Sequence, residues 1–299
     1  MSTAIEQSPA LPLSPAAPTQ VAGYWTSVWR RLRRDPVAMG AALVLLLFVL
    51  AAIFAPYIAP ADPYRSSMLR RLRPIGTAGF PLGTDELGRD MLSRLIFGAR
   101  YSLLMGITPV ALAFGIGSAI GVVAGYAGGR VNTVLMRTID IFYAFPSVLL
   151  AVALSGALGA GFGNALLSLT IVFIPPIARI AESVTTQVRS RDYVEAARAS
   201  GANALTILRV HVLGNVLGPI FVYSTSLISV SMILASGLSF LGLGVRPPEP
   251  EWGLMLNTLR TAIYVQPWVA ALPGLMIFIV SISFNLLSDG LRSAMDVKQ

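Results

Sequence analysis

Six long apolar stretches constrain the fold of this chain more than any other feature of its sequence. They cover residues 37–61, 101–127, 132–158, 162–181, 214–243 and 267–287. None of them contains more than two charged residues. Each is close to the 20 or so residues that a helix needs to cross a bilayer core of roughly 30 Å. The pattern therefore predicts an all-α polytopic membrane protein with six transmembrane helices.

The composition of the 299 residues agrees with a membrane protein and excludes several kinds of chemistry. Charged residues make up 12% of the chain, about half the share typical of soluble domains. The high apolar content excludes disorder for most of the chain. There is no cysteine and only one histidine, His211, so disulfides, iron–sulfur clusters and thiolate zinc sites are excluded. We predict no metal site and no catalytic residue.

The basic residues also limit the ways in which the chain can use ATP. All of them are arginines except Lys298, and a Walker A phosphate loop requires an interior lysine. If transport uses ATP, a separate polypeptide must bind it. We therefore predict that the chain is not an enzyme and holds no cofactor of its own.

The charged residues divide the chain into five segments. These are a cytoplasmic tail (1–35) with a basic collar, the first transmembrane helix (36–61), a polar extracytoplasmic loop (62–100), a five-helix core (101–292) with a cytoplasmic loop at 182–213, and a cytoplasmic carboxyl tail (293–299). The extracytoplasmic loop contains seven arginines and four acids, which allow local pairing. In the core, Pro175-Pro176 predicts that the fourth helix is kinked or ends early.

The distribution of charge only weakly indicates the orientation of the helices. With the amino terminus inside, 13 of the 22 basic residues lie on the cytoplasmic side. This is a small positive-inside bias. We predict that both termini are cytoplasmic, although charge alone leaves the opposite orientation open.

Four glycines of the predicted second helix recur with a strict period of four. They are Gly117, Gly121, Gly125 and Gly129. Glycines at this spacing share one helix face and let a neighbouring helix approach closely. We predict that they pack helices together within this chain, and an interface with a second membrane subunit is the alternative.

The segment 189–215 joins the fourth and fifth apolar regions and predicts a short helix, a turn and a second short helix. Asp192 and Glu195 have the spacing of a capping box at the start of the first helix. Gly201 is expected to end that helix in the left-handed conformation. A patch of small residues precedes the turn and would let a partner surface approach: Ala196, Ala197 and Ser200.

Glu195-Ala196-Ala197, followed by three residues and Gly201, resembles the EAA loop of ABC-importer permeases. The resemblance implies a coupling helix that docks into a groove on a cytoplasmic ATPase. The implied contact residues are Tyr193, Glu195, Ala196, Ala197 and Gly201. The stretch from His211 to Gly214 resembles the His-Val-Leu-Pro that follows this loop in peptide-type permeases, with glycine replacing proline. The resemblance implies that His211 and Gly214 form a hinge into the fifth helix.

Three further stretches narrow the resemblance to permeases of the dipeptide, oligopeptide and nickel C type. They are residues 82–90, residues 238–248 with Trp252-Gly253, and residues 284–292. Together with the EAA loop they occur in the family's order, and the resemblance covers residues 30–296. It implies a permease fold like that of type I ABC importers.

The resemblance also implies the partners of the chain and its location. These are a B-type permease subunit in a heterodimer, two ATP-binding subunits that hold ATP and Mg²⁺, and an extracytoplasmic substrate-binding protein. The chain would lie among the lipids of a bacterial-type inner membrane and would not bind nucleic acid. The substrate remains open among peptides, nickel chelates, opines and other small solutes, and no substrate-binding residue is identified.

Two other functions compete with the importer. An ion- or proton-driven secondary transporter would place ionisable residues in mid-membrane, and only the region around Asp140 qualifies. Arg137 lies three residues earlier and can neutralise Asp140, so we favour a structural role for the pair. An intramembrane hydrolase is the weakest alternative, because HExxH and GxSxG motifs are absent from the sequence.

Three features have a structural reading as well as a functional one. Glu195 on its own would suit the start of any helix, because a carboxylate interacts favourably with the helix dipole there. His211 near a membrane boundary is either an interfacial residue or a pH sensor, and we favour the first. The aromatic residues of 245–268 are typical of membrane edges, whereas the family resemblance places this loop beside a binding protein.

Overall fold

The computed structural model describes residues 24–295, and within this range the chain is built from helices. The predicted tail over the first 20 residues and Lys298 lie outside the described residues. In chain order the α-helices are α1 (Tyr24–Leu32), α2 (Pro36–Ile53), α3 (Ala55–Ile58), α4 (Met91–Ala127), α5 (Gly129–Tyr143), α6 (Ser147–Leu158), α7 (Phe162–Arg189), α8 (Asp192–Ala199), α9 (Ala204–Thr206), α10 (Leu213–Phe240), α11 (Trp252–Thr258) and α12 (Pro267–Met295).

Six crossings of the membrane are formed by the described helices. Five are long apolar helices, namely α2, α4, α7, α12 and the helical run Ala204–Phe240 that ends in α10. The sixth consists of α5 and α6, which are bent by 85° at the break between them. By length and composition, this bent pair is either one broken crossing or a loop that returns to the same face.

Contacts at the two ends of the bent pair show that it crosses. We call the membrane face that carries residues 190–203 the loop face. Arg189 Nη1 donates to the carbonyl oxygen of Tyr126 at 3.1 Å, so α5 starts at the loop face. Arg246 Nη2 donates to the carbonyl oxygen of Ala160 at 2.6 Å, so α6 ends at the opposite face, beside the far end of α10. The prediction of six transmembrane helices is confirmed.

The second crossing begins ten residues earlier than the sequence predicted. Residues 91–100 were expected to belong to the polar loop, but α4 starts at Met91. Asp90 caps this start, because its Oδ2 accepts hydrogen bonds from the Ser93 amide at 2.7 Å and from Ser93 Oγ at 2.6 Å. The polar loop therefore ends at Asp90. An apolar run marks only the part of a helix that lies in lipid. The backbone hydrogen bonds of the helix can continue beyond that part.

The first and last crossings also differ in length from their predicted ranges. The first was predicted over 36–61, but α2 ends at Ile53 and is followed by the short α3. Arg100 explains this end, because its Nε donates to the carbonyl oxygen of Ala52 at 2.6 Å, and a cation is favourable at a helix C-terminus. The last crossing continues as α12 to Met295, beyond its apolar run.

The adjacent prolines do not end the fourth crossing. Pro175 and Pro176 lie inside α7, which continues without a break to Arg189, so the expectation of an early end is wrong. Proline removes one backbone donor, and this loss is tolerated in a membrane helix where neighbouring helices pack against it. Here α4 packs along α7 more extensively than any other pair of helices in the described chain.

Three glycines of α4 form the face that packs against α7: Gly117, Gly121 and Gly125. A Cβ added at Gly117 would lie 2.9 Å from the carbonyl oxygen of Ile174, and one at Gly125 would lie 2.7 Å from that of Glu182. These contacts lie within the chain, as the sequence predicted. Gly129 does not belong to this face, because it is the first residue of α5 and a Cβ there would touch nothing within 4 Å. The period of four therefore ends at the break between α4 and α5.

The polar loop and the first turn of α4 form a buried ion cluster at the opposite face. Asp85 Oδ2 lies 2.6 Å from Arg89 Nε and 3.2 Å from Arg94 Nε. All three residues are at most 5% exposed. Asp85 Oδ1 also accepts from the amides of Leu87 and Arg89 at 2.9 Å, and Glu86 Oε1 accepts from Arg89 at 2.8 Å. The local pairing that the sequence allowed in this loop is therefore present at Asp85 and Glu86.

Candidate functional site

The loop between the fourth and fifth crossings is anchored to the rest of the molecule by the residue that precedes it. Arg189, the last residue of α7, donates through Nη1 to the carbonyl oxygens of Gly125 at 3.3 Å and Tyr126 at 3.1 Å. These carbonyls belong to the last turn of α4, where a cation is favoured. The loop therefore starts from a position that two packed helices define. We call residues 190–203 the coupling loop, after the role that the sequence predicts for it.

Helix α8 of the coupling loop starts differently from the prediction. Its N-cap is Arg191, whose carbonyl oxygen accepts from the amides of Val194 at 2.9 Å and Glu195 at 3.2 Å. Asp192 is the first helical residue and makes no cap hydrogen bond, so the predicted capping box is wrong. Both acids still lie in the first turn, where negative charge is stabilised by the helix dipole.

The end of α8 follows the prediction closely. Gly201 has φ of +82°, the left-handed conformation. The Gly201 amide donates to the carbonyl oxygen of Arg198 at 3.1 Å, and the Ala202 amide donates to that of Ala197 at 3.1 Å. These two bonds form a Schellman motif, which satisfies the last carbonyls of the helix. The next helical stretch is capped by Asn203, whose Oδ1 accepts from the Thr206 amide at 2.8 Å.

The coupling loop has one buried side and one exposed side. Val194 is fully buried and packs into the main core together with Ile207 and Val212. Of the five predicted contact residues, Ala197 is half-buried against this core. The other four are exposed: Tyr193, Glu195, Ala196 and Gly201. Most of the predicted contact residues thus lie on the exposed side of α8, whose opposite side packs against the core.

The two predicted hinge residues lie beside the loop in a helix that does not break. His211 belongs to a π-helical turn, Ile207–Val212, which joins α9 to α10. Its ring centroid lies 6.3 Å from that of Tyr193, so a predicted hinge residue and a predicted contact residue are neighbours. Gly214 is the second residue of α10, and a Cβ there would touch nothing within 4 Å. The irregular element at this position is therefore the π turn, a feature that is frequent at functional sites.

Two exposed apolar residues next to the coupling loop were not identified from the sequence. Leu205 is 56% exposed and Val210 is 65% exposed. Both follow the Schellman turn and lie before the start of α10. Large apolar side chains within the predicted loop at 182–213 are the signal that could have identified them.

A cavity of about 500 Å³ lies at the bend between α5 and α6. The bend itself, α7 and α10 line it. Aromatic residues contribute much of the wall: Phe142, Tyr143, Phe145, Phe173 and Tyr223. The cavity lies where a long apolar helix is interrupted, and interrupted membrane helices are typical of transport pathways.

Asp140, next to this cavity, has a different main partner from the predicted one. Its carboxylate contacts the guanidinium of Arg179 on α7, whereas Arg137 Nη1 lies 4.0 Å away. The sequence indicated Arg137 because it is three residues earlier on the same helix. Arg179 could not be chosen from sequence, because its proximity depends on how α5 packs against α7.

A buried acid at the opposite face was also missed. Glu251 is 1% exposed and caps α11, accepting from the amides of Gly253 at 2.9 Å and Leu254 at 2.8 Å. Ser102 Oγ on α4 donates to it at 3.2 Å. Burial raises the pKa of Glu251, although these hydrogen bonds oppose the shift. The neighbouring Trp252 is buried and donates to the carbonyl oxygen of Leu95 at 3.0 Å, so α11 is fixed to α4.

The comparisons with known proteins agree with this architecture. Residues 117–298 match the family described as binding-protein-dependent transport system inner membrane component. Residues 23–74 match the N-terminal TM domain of oligopeptide transport permease C.

Curated relatives match over almost the whole chain. A glutathione transport system permease protein of Pectobacterium atrosepticum is 41% identical, covering 92% of this chain and 91% of that protein. A di/tripeptide transport system permease protein of Pseudomonas aeruginosa is also 41% identical, covering 99% of this chain and 98% of that protein. No support for an ion-driven carrier comes from these relatives.

A solved structure shares the fold at low sequence identity. A chain of the methionine ABC transporter MetNI in an inward-facing conformation matches with a TM-score of 0.56 and 20% identity, covering 68% of this chain and 97% of that chain. The family matches, the full-length relatives and this shared fold lead to one assignment. The chain belongs to the family of binding-protein-dependent transport system inner membrane components, and it is a C-type, multi-pass inner-membrane permease subunit of an ABC importer.

Proposed function

We propose that this permease imports peptides or a related small solute and that a separate ATPase drives it through the coupling loop. The substrate class is supported by the relatives at 41% identity, whose names specify di/tripeptide and glutathione transport. The mechanism rests on one observation. The coupling loop exposes Tyr193, Glu195 and Ala196 on a helix whose other side is fixed in the core by Val194.

The packing behind the coupling loop supports transmission of a force from it. A push on α8 reaches α7 directly, and α7 is packed on the glycine face of α4. Asn132 Nδ2 donates to Glu182 Oε1 at 2.7 Å, and this bond, with the Asp140–Arg179 pair, joins α5 to α7. Movement of α7 would therefore shift the bent pair that lines the cavity. Such a shift is the alternating access that an importer requires.

The partners follow from the same proposal. Two ATP-binding subunits would hold ATP and Mg²⁺, since the sequence contains no Walker A loop. A B-type permease would complete the heterodimer, and a binding protein would deliver the solute at the opposite face. Helix α1 packs on the end of α12, so the first and last described residues share the loop face. If the ATPase engages the coupling loop, both termini are cytoplasmic.

The coupling assignment is tested with a bulky substitution on the exposed side of α8. We expect Ala196→Trp to lower binding-protein-stimulated ATP hydrolysis at least about tenfold, because each 1.4 kcal/mol lost from an interface weakens it tenfold. Hydrolysis is measured on the reconstituted transporter.

Ala127→Trp is the matched control, because Ala127 is an exposed alanine at the loop-face end of α4, outside the coupling loop. Both variants should insert in the membrane in normal amounts. Full stimulation of the Ala196→Trp transporter would contradict the docking role of α8.

A further inference from the structure

The Asp140–Arg179 pair lies within two crossings. Arg179 is ten residues before the loop-face end of α7, which is about 15 Å along the helix axis. Asp140 is eleven residues after the loop-face start of α5, which is about 16 Å. Both residues lie inside apolar runs of the sequence, 132–158 and 162–181. Both charges are therefore within membrane-spanning segments, on the loop-face side of the membrane.

The exposure of this pair is unusual for charges at such a depth. The side chains of Asp140 and Arg179 are 32% and 48% exposed. Charged groups inside a membrane face the protein interior or a water-filled cavity, because contact with lipid is costly. A link that served only to join α5 to α7 would have no reason to remain open, and Asn132–Glu182 already joins the same helices. The pair is therefore placed to face an aqueous pathway.

The aromatic cavity lies within one helical turn of the pair on both α5 and α7. Phe142 lines the cavity and is two residues after Asp140, and Pro176 lines it three residues before Arg179. The volume of about 500 Å³ lies within the 300–1,000 Å³ that is usual for small-molecule sites. The pair thus lies close to a largely aromatic pocket whose wall includes the hydroxyl-bearing side chains of Tyr143 and Tyr223.

We propose that Asp140 and Arg179 bind the charged ends of a zwitterionic peptide on the translocation pathway, while the aromatic cavity receives its side chains. The peptide ammonium pairs with the Asp140 carboxylate, and the peptide carboxylate pairs with the Arg179 guanidinium, which suits bidentate contacts. This site rests on the proposed peptide function and names residues for it.

Exchange of partners makes the site suitable for transport. When the peptide enters, each protein charge gives up one ionic partner and gains another, so neither is left unpaired. The ends of an extended dipeptide lie up to about 7 Å apart, and a long, half-exposed arginine side chain can move to admit it. Binding is therefore weak, as passage requires a site that the solute can leave. When the peptide departs, the ion pair closes again.

The test measures binding of radiolabelled Ala-Ala to the assembled permease–ATPase complex in nanodiscs, without the binding protein. Two analogues remove one charge each, N-acetyl-Ala-Ala and Ala-Ala amide. Asp140→Asn should weaken Ala-Ala binding about tenfold and leave N-acetyl-Ala-Ala binding unchanged. Arg179→Gln should weaken Ala-Ala binding about tenfold and leave Ala-Ala amide binding unchanged. Such pairing of a protein change with a ligand change isolates the direct contact.

Arg137→Gln is the matched control, because it removes an equal charge near Asp140 without removing the contact partner. It should keep the affinity for Ala-Ala within about twofold, a difference below that of a lost ionic hydrogen bond. An equal loss for free and blocked dipeptides in Asp140→Asn or Arg179→Gln would overturn the proposal, and so would no loss.

Uptake of Ala-Ala by wild-type proteoliposomes with the binding protein and ATP separates the two possible failures. If uptake occurs but the binding pattern is absent, the site is wrong and the peptide function stands. If the wild-type transporter takes up no Ala-Ala, the peptide function is wrong, and the proposed peptide site is then wrong as well.

Discussion

Charged residues are buried at one face of this permease and exposed at the other. At the opposite face, Asp85, Arg89 and Arg94 are buried, and both arginines lie within 3.2 Å of the Asp85 carboxylate. At the loop face, the coupling loop presents Tyr193 and Glu195 to the outside. In the first region charged side chains pair with each other, whereas in the second they lie exposed on the surface. We therefore expect the buried charge cluster to serve stability and the exposed loop to serve the proposed coupling.

The difference has an energetic consequence. Removing one member of a buried ion pair costs about 3–5 kcal/mol, because the remaining charge is left uncompensated. Substitutions on an exposed surface change stability by about 0.5 kcal/mol or less. Mutations at the opposite face should therefore reduce folding, and mutations in the coupling loop should reduce activity while the protein stays folded. The predictions that follow test this separation.

The largest loss of stability is expected at the buried cluster. Asp85→Asn leaves two buried guanidinium groups without their shared carboxylate and should cost about 3–5 kcal/mol of unfolding free energy. Thermal unfolding in detergent micelles measures the effect. Asp62→Asn is the control, because Asp62 is an exposed acid of the same polar loop. Equal thermal unfolding midpoints for the two variants would show that the ion cluster does not stabilise the fold.

A smaller loss is expected at the packed glycine face. A leucine at Gly121 would meet the Ala178 carbonyl oxygen and the Ala181 side chain, and overpacking of this kind costs about 1–3 kcal/mol. Gly115→Leu is the control, since a Cβ at Gly115 touches nothing within 4 Å. The same unfolding measurement compares them. Equal stability of the two leucine variants would mean that α4 and α7 are not closely packed.

A pH-dependent effect is expected at Glu251. Its pKa is raised by burial, so the folded state holds a proton that the unfolded state has lost at pH values between the two pKa values. The stability contributed by this group therefore falls as pH rises through that interval. Glu251→Gln removes the titration, so its melting temperature relative to wild type should increase from pH 5 to pH 8. A difference that does not change with pH would contradict the raised pKa.

The smallest effect on stability is expected in the coupling loop. Glu195→Ala should change the unfolding free energy by no more than about 0.5 kcal/mol, because the side chain is exposed. Binding-protein-stimulated ATP hydrolysis should nevertheless fall severalfold. Measuring both quantities on one preparation checks the separation between the two faces. A destabilised Glu195→Ala protein with normal stimulation of ATP hydrolysis would contradict the proposed coupling role of this loop.

Several features could be predicted because they depend on neighbouring residues in the sequence. The six crossings followed from the length of the apolar runs, and the turn at Gly201 followed from glycine's access to the left-handed conformation. The start of α4 and the passage of α7 through Pro175-Pro176 could not be predicted in this way. Hydropathy reports contact with lipid, and a helix continues wherever its backbone hydrogen bonds are satisfied.

Residues that depend on partners distant in sequence were those missed or misassigned. Arg137 was the predicted partner of Asp140 and lies 4.0 Å from it, but Arg179 on another helix makes the closer contact. Glu251 attracted no attention as one of two acids among prolines, yet it joins α11 to α4 through Ser102. Such contacts between residues more than 30 positions apart leave no local pattern.

By itself, the sequence determined that this protein crosses the membrane six times and presents an EAA-type loop, because both properties belong to short continuous segments. Only the tertiary structure decided which charges are buried together and that the bent pair forms a cavity. It also placed an ion pair beside that cavity. Burial and pairing depend on which helices pack against each other, and that choice is made by the whole chain.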